Sequence, residues 1–477
     1  MICTGDICQR AGGTGAAEPR TPRRPGTAPY SRSVNPLLRE LLPVLRLDEG
    51  HVAAHLDVPP GSALPSVLPV NTLACGAVAA AGLAGAGLRG GDRVHVDPRQ
   101  VAVSFRNDQL QTLDGVGGSG FAPLSGFFEA RDGWVRTHAN YPHHRARLLS
   151  ALGLGDGATG DELAAVVAAS GAAEVEDVVT DEHGIAVRVR SLAEWMAGAQ
   201  AHAVASHDVL AVAPTGTAGP VPVRARPRVL DLTRVIAGPV ATRTLALLGC
   251  DVLRVDSPHL PEIEAQHLET GAGKRSTLAD LHDEHARRRV HDLLDGADVL
   301  VLGYRPGALA AYGLDPDALA LTHPHLVCAT LTAWTPSGPW GGRRGFDSIV
   351  QAATGIALLE SRDDRTPGAL PAQALDHATG YLLAAGVLTA LRRRASEGGT
   401  WRVSAHLART AHWLLGSGAL DGPARAVDDP SPWMVATPTE AGELVQSRPA
   451  FRVDDGPREF ARVGHRWGAD SAQWLAP

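Results

Sequence analysis

The chain has 477 residues, of which 44% are hydrophobic and 20% are charged, and its formal net charge is −7 at pH 7. This composition is typical of a globular protein long enough for two or three domains, and the negative charge argues against a nucleic-acid-binding protein. The five cysteines are scattered, which is typical neither of a disulfide framework nor of a CxxC metal site. The N-terminus lacks an apolar signal region and no run appears long enough to span a membrane, so we expect a cytoplasmic protein without a membrane contact.

Three segments follow one another along the chain. Residues 1–34 are rich in Gly, Pro, Arg and Thr and have no hydrophobic periodicity, which predicts a disordered tail. Residues 35–221 combine helical patterns such as "NPLLRELLPVLRL" with short strand-like pieces, "DGWVRTH" and "HGIAVRVRS". The Pro-rich bridge "APTGTAGPVPVRARP" then marks the main domain boundary, and residues 222–477 form the second block.

Apolar strands alternate with helical patterns after the bridge. "RVLDLTRVIAGPVATRTLALLGCDVLRVD" reads as strand, turn, helix and strand, and Pro239 suits the first turn of its helix. Two more apolar strands are predicted at 297–303 and 326–334. This alternation predicts a parallel, doubly wound sheet that binds ligands at the carboxyl ends of its strands. No GxGxxG motif follows the first strand, which disfavours dinucleotide binding.

An acidic residue stands near the start of a long apolar helix, "LDHATGYLLAAGVLTAL", at Asp376. A carboxylate in this place is most simply explained as a helix cap, because it accepts hydrogen bonds from free backbone N–H groups and suits the positive end of the helix dipole. The alternative is a chemical role, which the residues of this window alone do not decide.

Five segments occur in the order typical of one family: "VLDLTRVIAGPVATRTLALLGCDVLRVDSP", "GKRST", "ADVLVLGYRPGALAAYGLD", "SGPWGGRRGFDSIVQAATG" and "LDHATGYLLAAGVLTAL". Together they resemble the class III CoA-transferases, such as formyl-CoA transferase and carnitine CoA-transferase. The resemblance implies an α/β fold with a Rossmann-like doubly wound parallel sheet and a small α+β domain. It also implies transfer of CoA between an acyl-CoA and a small carboxylic acid, with acyl-CoA as substrate, no tightly bound cofactor, no metal and a homodimeric protein.

The resemblance also assigns roles to individual residues. Asp376 takes the place of the family's nucleophile, which forms a covalent aspartyl intermediate, and Asp347 takes the place of an acid that positions substrate or intermediate. The expected CoA contacts are Val235, Ala237, Lys274, Arg275, Tyr304 and Arg305. The backbone N–H groups at the helix start, with Lys274 and Arg275, suit the phosphates of CoA.

Two rival functions remain. Acyl-CoA racemases of the same superfamily need an acid/base group on each face of the α-carbon, and a histidine commonly precedes the aspartate of the motif matching "GFDSIVQ". Phe346 occupies that place here and carries no proton, so the sequence favours the transferase over the racemase. The other rival is a CoA-binding protein without catalytic activity.

The first half of the chain resembles later parts of the family's fold placed first. Residues 70–87, "VNTLACGAVAAAGLAGAG", resemble the helix that carries Asp376, with Thr72 opposite the aspartate. The "DGW" strand and "EW" helix resemble the family's small domain. We interpret the first half as a degenerate partial copy in a rearranged chain, and two unrelated positions of the similar helices would contradict this. His138, His143 and His144 are expected to be surface or packing residues rather than metal ligands.

Overall fold

The structure is a computed structural model that describes residues 34–89, 93–118 and 120–476. The predicted disordered tail therefore lies, except for its last residue, outside the described residues. From Val34 onward the chain forms one compact unit. The helices are α1 Pro36–Leu45, α2 Glu49–His55, α3 Val70–Arg89, α4 Pro98–Phe105, α5 Asn107–Leu110, α6 Pro142–Ala151, α7 Gly160–Ala169, α8 Ala172–Asp181, α9 Leu192–Met196, α10 Ala199–Ala205, α11 Ala237–Leu247, α12 Glu264–Thr270, α13 Glu284–Asp295, α14 Pro316–Thr322, α15 Asp347–Thr354, α16 Ile356–Leu359, α17 Ala374–Glu397 and α18 Leu407–Gly416. The strands are β1 Leu56–Asp57, β2 Val94–His95, β3 Thr112–Leu113, β4 Val116–Gly117, β5 Phe127–Ala130, β6 Gly133–Thr137, β7 Ala186–Arg188, β8 Ala211–Gly216, β9 Arg228–Leu232, β10 Asp251–Asp256, β11 Arg275–Leu278, β12 Val299–Leu302, β13 Val327–Thr332, β14 Thr400–His406, β15 Met434–Thr439, β16 Gly442–Ser447 and β17 Arg452–Val453.

The main sheet of the described residues has the strand order β11-β10-β9-β12-β13-β14-β8. Neighbouring strands from β11 to β14 are parallel, and β8 pairs antiparallel with β14 at one edge. The central strands are buried on both faces. Val229 and Val299 pack with α11 and α17 on one side, while Leu230 and Leu300 pack with α13 and α14 on the other. Because helices cover both faces, the predicted α/β fold with a parallel, doubly wound sheet is confirmed.

Two long helices, α3 and α17, pack against each other in the main core. By length and composition both are apolar enough to cross a membrane, which the sequence analysis did not recognise. In the structure 83% of the apolar window in Val70–Leu88 and 100% of that in Ala374–Glu397 are buried inside the protein. Burial of this extent is that of core helices in a globular fold.

The first block is not separate from the second. Strand β8, whose last four residues begin the Pro-rich bridge, pairs with β14, and β3 pairs with β16 from near the C-terminus. Strands β5, β6 and β7 form a small antiparallel sheet that shares its own hydrophobic core with α6, α7 and α8. The first block thus contains a small α+β unit and also completes sheets of the second block.

The two similar helices occupy adjacent places, but their first turns differ. Thr72 of α3 donates hydrogen bonds to Asp421 Oδ1 from its backbone nitrogen, at 3.0 Å, and from Oγ1, at 2.7 Å. Asp421 Oδ2 accepts a third bond from the Asn71 backbone nitrogen at 2.7 Å. The Asp421 side chain therefore caps α3, although α3 has a threonine where α17 has Asp376. The adjacent places do not contradict the partial copy, which stays a prediction.

Candidate active site

A pocket of about 420 Å³ lies at the carboxyl ends of β9, β12 and β13. Asp376 lines this pocket, and so do four of the six predicted CoA contacts: Val235, Ala237, Tyr304 and Arg305. Val235 and Ala237 belong to the turn from β9 into α11, and Tyr304 and Arg305 follow β12. The parallel sheet brings these turns together because its strands end at one edge.

Lys274 and Arg275 do not reach the pocket. Lys274 is buried, and its Nζ lies 3.0 Å from Asp231 Oδ2 and 2.9 Å from Thr242 Oγ1. Arg275 Nη2 lies 2.8 Å from Asp251 Oδ1. Both cations are held by aspartates of neighbouring strands, so the structure gives them a place in internal ion pairs of the sheet.

Five arginines line the pocket, and only Arg305 was singled out from the sequence. Arg234 and Arg343 are paired with Glu262 and Glu176. Within the described residues Arg147, Arg305 and Arg344 make no ion pair with a carboxylate. Burial lowers the pKa of Arg344 to about 10, and the charges of Arg305 and Arg147 act in the same direction. Three guanidinium groups that repel one another are a good binding site for phosphate groups.

Asp376 lies in the first turn of α17 but does not cap it. The cap comes instead from Asp347 at the start of α15, whose Oδ2 accepts a hydrogen bond of 2.9 Å from the Asp376 backbone nitrogen. Gln351 donates to the other oxygen of Asp347 and accepts from the Leu370 backbone nitrogen at 2.9 Å. The expectation that Asp376 caps its helix is therefore wrong, because Asp347 already occupies that position.

Asp376 is only 6% exposed, yet no donor among the described residues forms a hydrogen bond with its carboxyl group. Burial raises the pKa of Asp376 well above its usual range, and the nearby charges of Asp347 and Asp108 raise it further. Burial also raises the pKa of Asp347, to about 6, against the effect of its hydrogen bonds. Two buried carboxylates that lie close together repel each other when both are ionised. Asp376 therefore holds its proton more tightly than an exposed aspartate does.

Part of the chain is similar to known proteins of one family. The model of CoA-transferase family III matches residues 225–458. These residues therefore carry the similarity of the chain to CoA-transferase family III. A probable fatty acyl-CoA transferase of Mycobacterium tuberculosis is 33% identical over 48% of this chain and 62% of its own length. The succinate–glutarate CoA-transferase of Agrobacterium fabrum is 31% identical over 36% of this chain and 48% of its own length.

The chain spans between about a third and three fifths of the length of the curated relatives that it matches. A formyl-CoA:oxalate CoA-transferase of Streptomyces coelicolor is 31% identical over 37% of this chain and 46% of its own length. Among solved structures, a CaiB/BaiF family protein from Brucella suis is 27% identical, covers 47% of this chain and 65% of its own, and has a TM-score of 0.38.

The part of the chain that precedes residue 225, outside the match to the family model, supplies one wall of the pocket. Tyr141, His143, His144 and Arg147, at and directly before α6, line it. His138 packs instead on Phe346, with ring centroids 3.7 Å apart and the rings parallel. Burial lowers the pKa of His144 to about 2, which keeps its imidazole neutral. Packing was expected for these histidines, but their contact with the pocket was not.

No group of His, Cys, Asp and Glu within the described ranges is arranged to hold a metal ion. The pocket residues that the sequence did not indicate include Arg147, Arg234, Arg343, Arg344 and the α6 histidines. The pair "RR" does stand inside a motif used for the resemblance, directly before "GFD", and so carried a signal. Arg147 carried none, because it lies, with Tyr141 and the α6 histidines, far along the chain from the rest of the pocket.

Proposed function

We propose that this chain is a CoA-transferase that moves CoA from an acyl-CoA thioester to a small carboxylic acid through a covalent intermediate on Asp376. The observation that carries the proposal is that an unbonded carboxyl group, Asp376, and three unpaired arginines open into one pocket. Arginines bind phosphates, and CoA carries three phosphate groups beside its reactive thioester. The match of residues 225–458 to the model of family III supports the same assignment, and a homodimer and a cytoplasmic location join it as proposals.

The free energy of the donor thioester is retained because both intermediates, a mixed anhydride and an aspartyl thioester, are activated acyl groups. The Asp376 carboxylate attacks the thioester carbonyl, the carbon–sulfur bond breaks, and a mixed anhydride and CoA thiolate form. The thiolate then attacks the aspartyl carbonyl, which gives an aspartyl-CoA thioester and releases the donor acid. The acceptor carboxylate repeats these steps in reverse, which forms the new acyl-CoA and restores Asp376.

The surroundings of Asp376 suit such intermediates. Anhydrides and thioesters hydrolyse if water reaches them, and Asp376 is only 6% exposed in the first turn of an apolar helix. Asp347 holds the backbone of Asp376 in place, and it has both oxygens bonded, so it positions the nucleophile rather than attacking. Asp376 reacts only when ionised, so the same burial that protects the intermediate makes the reaction sensitive to pH.

Covalent trapping tests the proposal. The protein is incubated with an acyl-CoA and then treated with one of two trapping reagents. Borohydride reduces an aspartyl thioester, and hydroxylamine converts it to a hydroxamate. The protein is then digested for peptide mass spectrometry. We expect modification at Asp376 and at no other acid of the peptide. A protein that binds CoA but shows no modification with any acyl-CoA would be the non-catalytic CoA-binding protein.

One observation favours a second candidate, an acyl-CoA epimerase. His144 lines the same pocket as Asp376 although Phe346 fills the place of the expected histidine, so an imidazole is present. Its burial and neutral state make it a weak base, and the transferase remains the better assignment. The same incubation in heavy water separates the two, because only the epimerase incorporates deuterium at the α-carbon of a 2-methylacyl-CoA.

Asp347→Asn is expected to move the acidic limb of the pH profile of kcat/KM to lower pH. A negative Asp347 disfavours ionisation of Asp376, so its removal lowers the pKa of Asp376 and lets the nucleophile ionise earlier. Asparagine keeps an oxygen that accepts the Asp376 backbone bond. Initial rates between pH 5 and 9 measure the shift, and the exposed Asp161→Asn serves as control. An unchanged or upward shift contradicts the coupling.

A further inference from the structure

One buried carboxylate outside the pocket, Glu262, contacts three residues that line it. Glu262 lies in the loop before α12, and its side chain is 1% exposed. Its Oε2 accepts the backbone N–H of Val235 at 3.3 Å. Its Oε1 accepts the hydroxyl of Tyr141 and lies 3.6 Å from Arg234 Nη2. Glu262 therefore joins the β9–α11 turn of the second block to the α6 wall supplied by the first.

A buried arginine, Arg254, stabilises the negative charge of Glu262. The Nη2 atom of Arg254, which is fully buried, lies 2.8 Å from Glu262 Oε2. Burial works against ionisation of Glu262, but Arg254, Arg234 and the hydrogen bond from Tyr141 together lower its pKa to about 2. The carboxylate is thus ionised at any working pH and is a permanent anchor for these donors.

The residue that it anchors most directly is strained. Val235 has a φ of +69°, in the left-handed region that β-branched residues avoid. Such a conformation persists only where surrounding contacts impose it, and it is found preferentially at functional sites. Here the Val235 nitrogen donates a hydrogen bond to Glu262, which is one contact that supports this conformation, and Val235 lines the pocket.

We infer that Glu262 is a positioning residue for CoA. This inference rests on the proposed function. Glu262 holds Val235, Arg234 and Tyr141 in the arrangement that receives CoA, and does not itself touch the substrate or the reacting atoms. Its loss lets Val235 return to a negative φ and frees Arg234 and Tyr141. The expected consequence is weaker binding of CoA, with little change in the chemical step at Asp376.

The experiment compares four variants: Glu262→Gln, Val235→Gly, the double variant, and Glu264→Gln as matched control. Glu264 lies two residues further on and is exposed. Calorimetry gives the Kd for free CoA, and steady-state rates give kcat and KM. We expect Glu262→Gln to raise Kd and KM about tenfold with kcat within about threefold, and Glu264→Gln to change neither.

The glycine variant separates positioning from simple destabilisation. Glycine adopts a positive φ without a steric clash, so the turn depends less on its anchor in Val235→Gly. In that background we expect Glu262→Gln to raise Kd by less than about threefold. A role limited to stability would give the same loss in both backgrounds, which would overturn the inference.

The outcomes distinguish this inference from the proposed function. If the wild-type protein binds CoA and Glu262→Gln binds it equally well, the positioning role is wrong and the proposed function stands. If the wild-type protein does not bind free CoA, the proposed function fails first. Should Glu262→Gln not fold, Tyr141→Phe removes one bond to the same carboxylate, and an unchanged Kd in that variant would overturn the inference.

Discussion

Asp376→Asn loses CoA transfer by at least about a thousandfold, as expected when a covalent nucleophile is replaced by a group of the same shape that cannot form the anhydride. The substitution leaves α17 intact, because the helix is capped by Asp347 through the backbone nitrogen of residue 376 and not by the Asp376 side chain. Transfer of CoA between two acids, followed by chromatography of the acyl-CoA products, measures the loss.

The same variant is expected to be more stable than the wild-type protein as the pH rises. The pKa of Asp376 is higher in the folded protein than in the unfolded chain, where an aspartate titrates near about 3.9. Ionisation therefore favours the unfolded chain, and the wild-type free energy of unfolding falls as the pH rises from the unfolded pKa through the folded one. Asparagine has no such dependence.

Thermal unfolding of both proteins between pH 4 and 8 measures this effect. The difference in Tm, variant minus wild type, is expected to grow with pH, while the exposed Asp161→Asn control follows the wild type. A difference in Tm that does not depend on pH would mean that Asp376 is not held with a raised pKa. Retention of transfer activity by Asp376→Asn would remove the nucleophile from the proposed mechanism.

Gly380→Val is expected to have the second large effect, on stability and on activity together. A Cβ atom at Gly380 would lie 2.4 Å from the backbone oxygen of Ala237 and 3.0 Å from the Val240 side chain. A backbone oxygen at a helix start does not rotate away, so α17 and α11 must separate, at a cost of about 1–3 kcal/mol or more. Asp376 lies one turn earlier on the same face, so the nucleophile moves with the helix.

Denaturant unfolding and the transfer rate of the folded fraction check this expectation. Gly416→Ala is the matched control, because Gly416 is also helical and an added Cβ meets no atom within 4 Å. The control is expected to keep its stability and its rate. Equal behaviour of the two variants would show that the close approach of α17 to α11 is not required.

The fold was predictable where a local pattern decides the outcome. The strand predicted at the start of "RVLDLTRVIAGP" is observed as Arg228–Leu232, because a short apolar run before a turn has few alternatives to a buried parallel strand. Asp376 also lines the pocket, but its candidacy came from the family resemblance and not from the local pattern, which favoured a helix cap.

Contacts between distant parts of the chain were not predictable. Lys274 and Arg275 looked like phosphate ligands, but their direction is decided by Asp231 and Asp251 on neighbouring strands. The Arg147 side chain reaches the pocket only because the first block packs against the second. Periodicity and motif spacing report on near neighbours, and these contacts depend on tertiary packing.

The pairing of α3 with α17 has a consequence for synthesis on the ribosome. About 280 residues separate the two helices, and at about 5–20 residues per second the first waits for tens of seconds before the second emerges. During that interval α3, whose apolar window is 83% buried in the finished protein, can pack against its neighbours α1 and α4 but lacks α17. Nascent chains of this protein are therefore expected to expose the apolar face of α3 that α17 later covers, and to offer it to chaperones, until translation has passed residue 397.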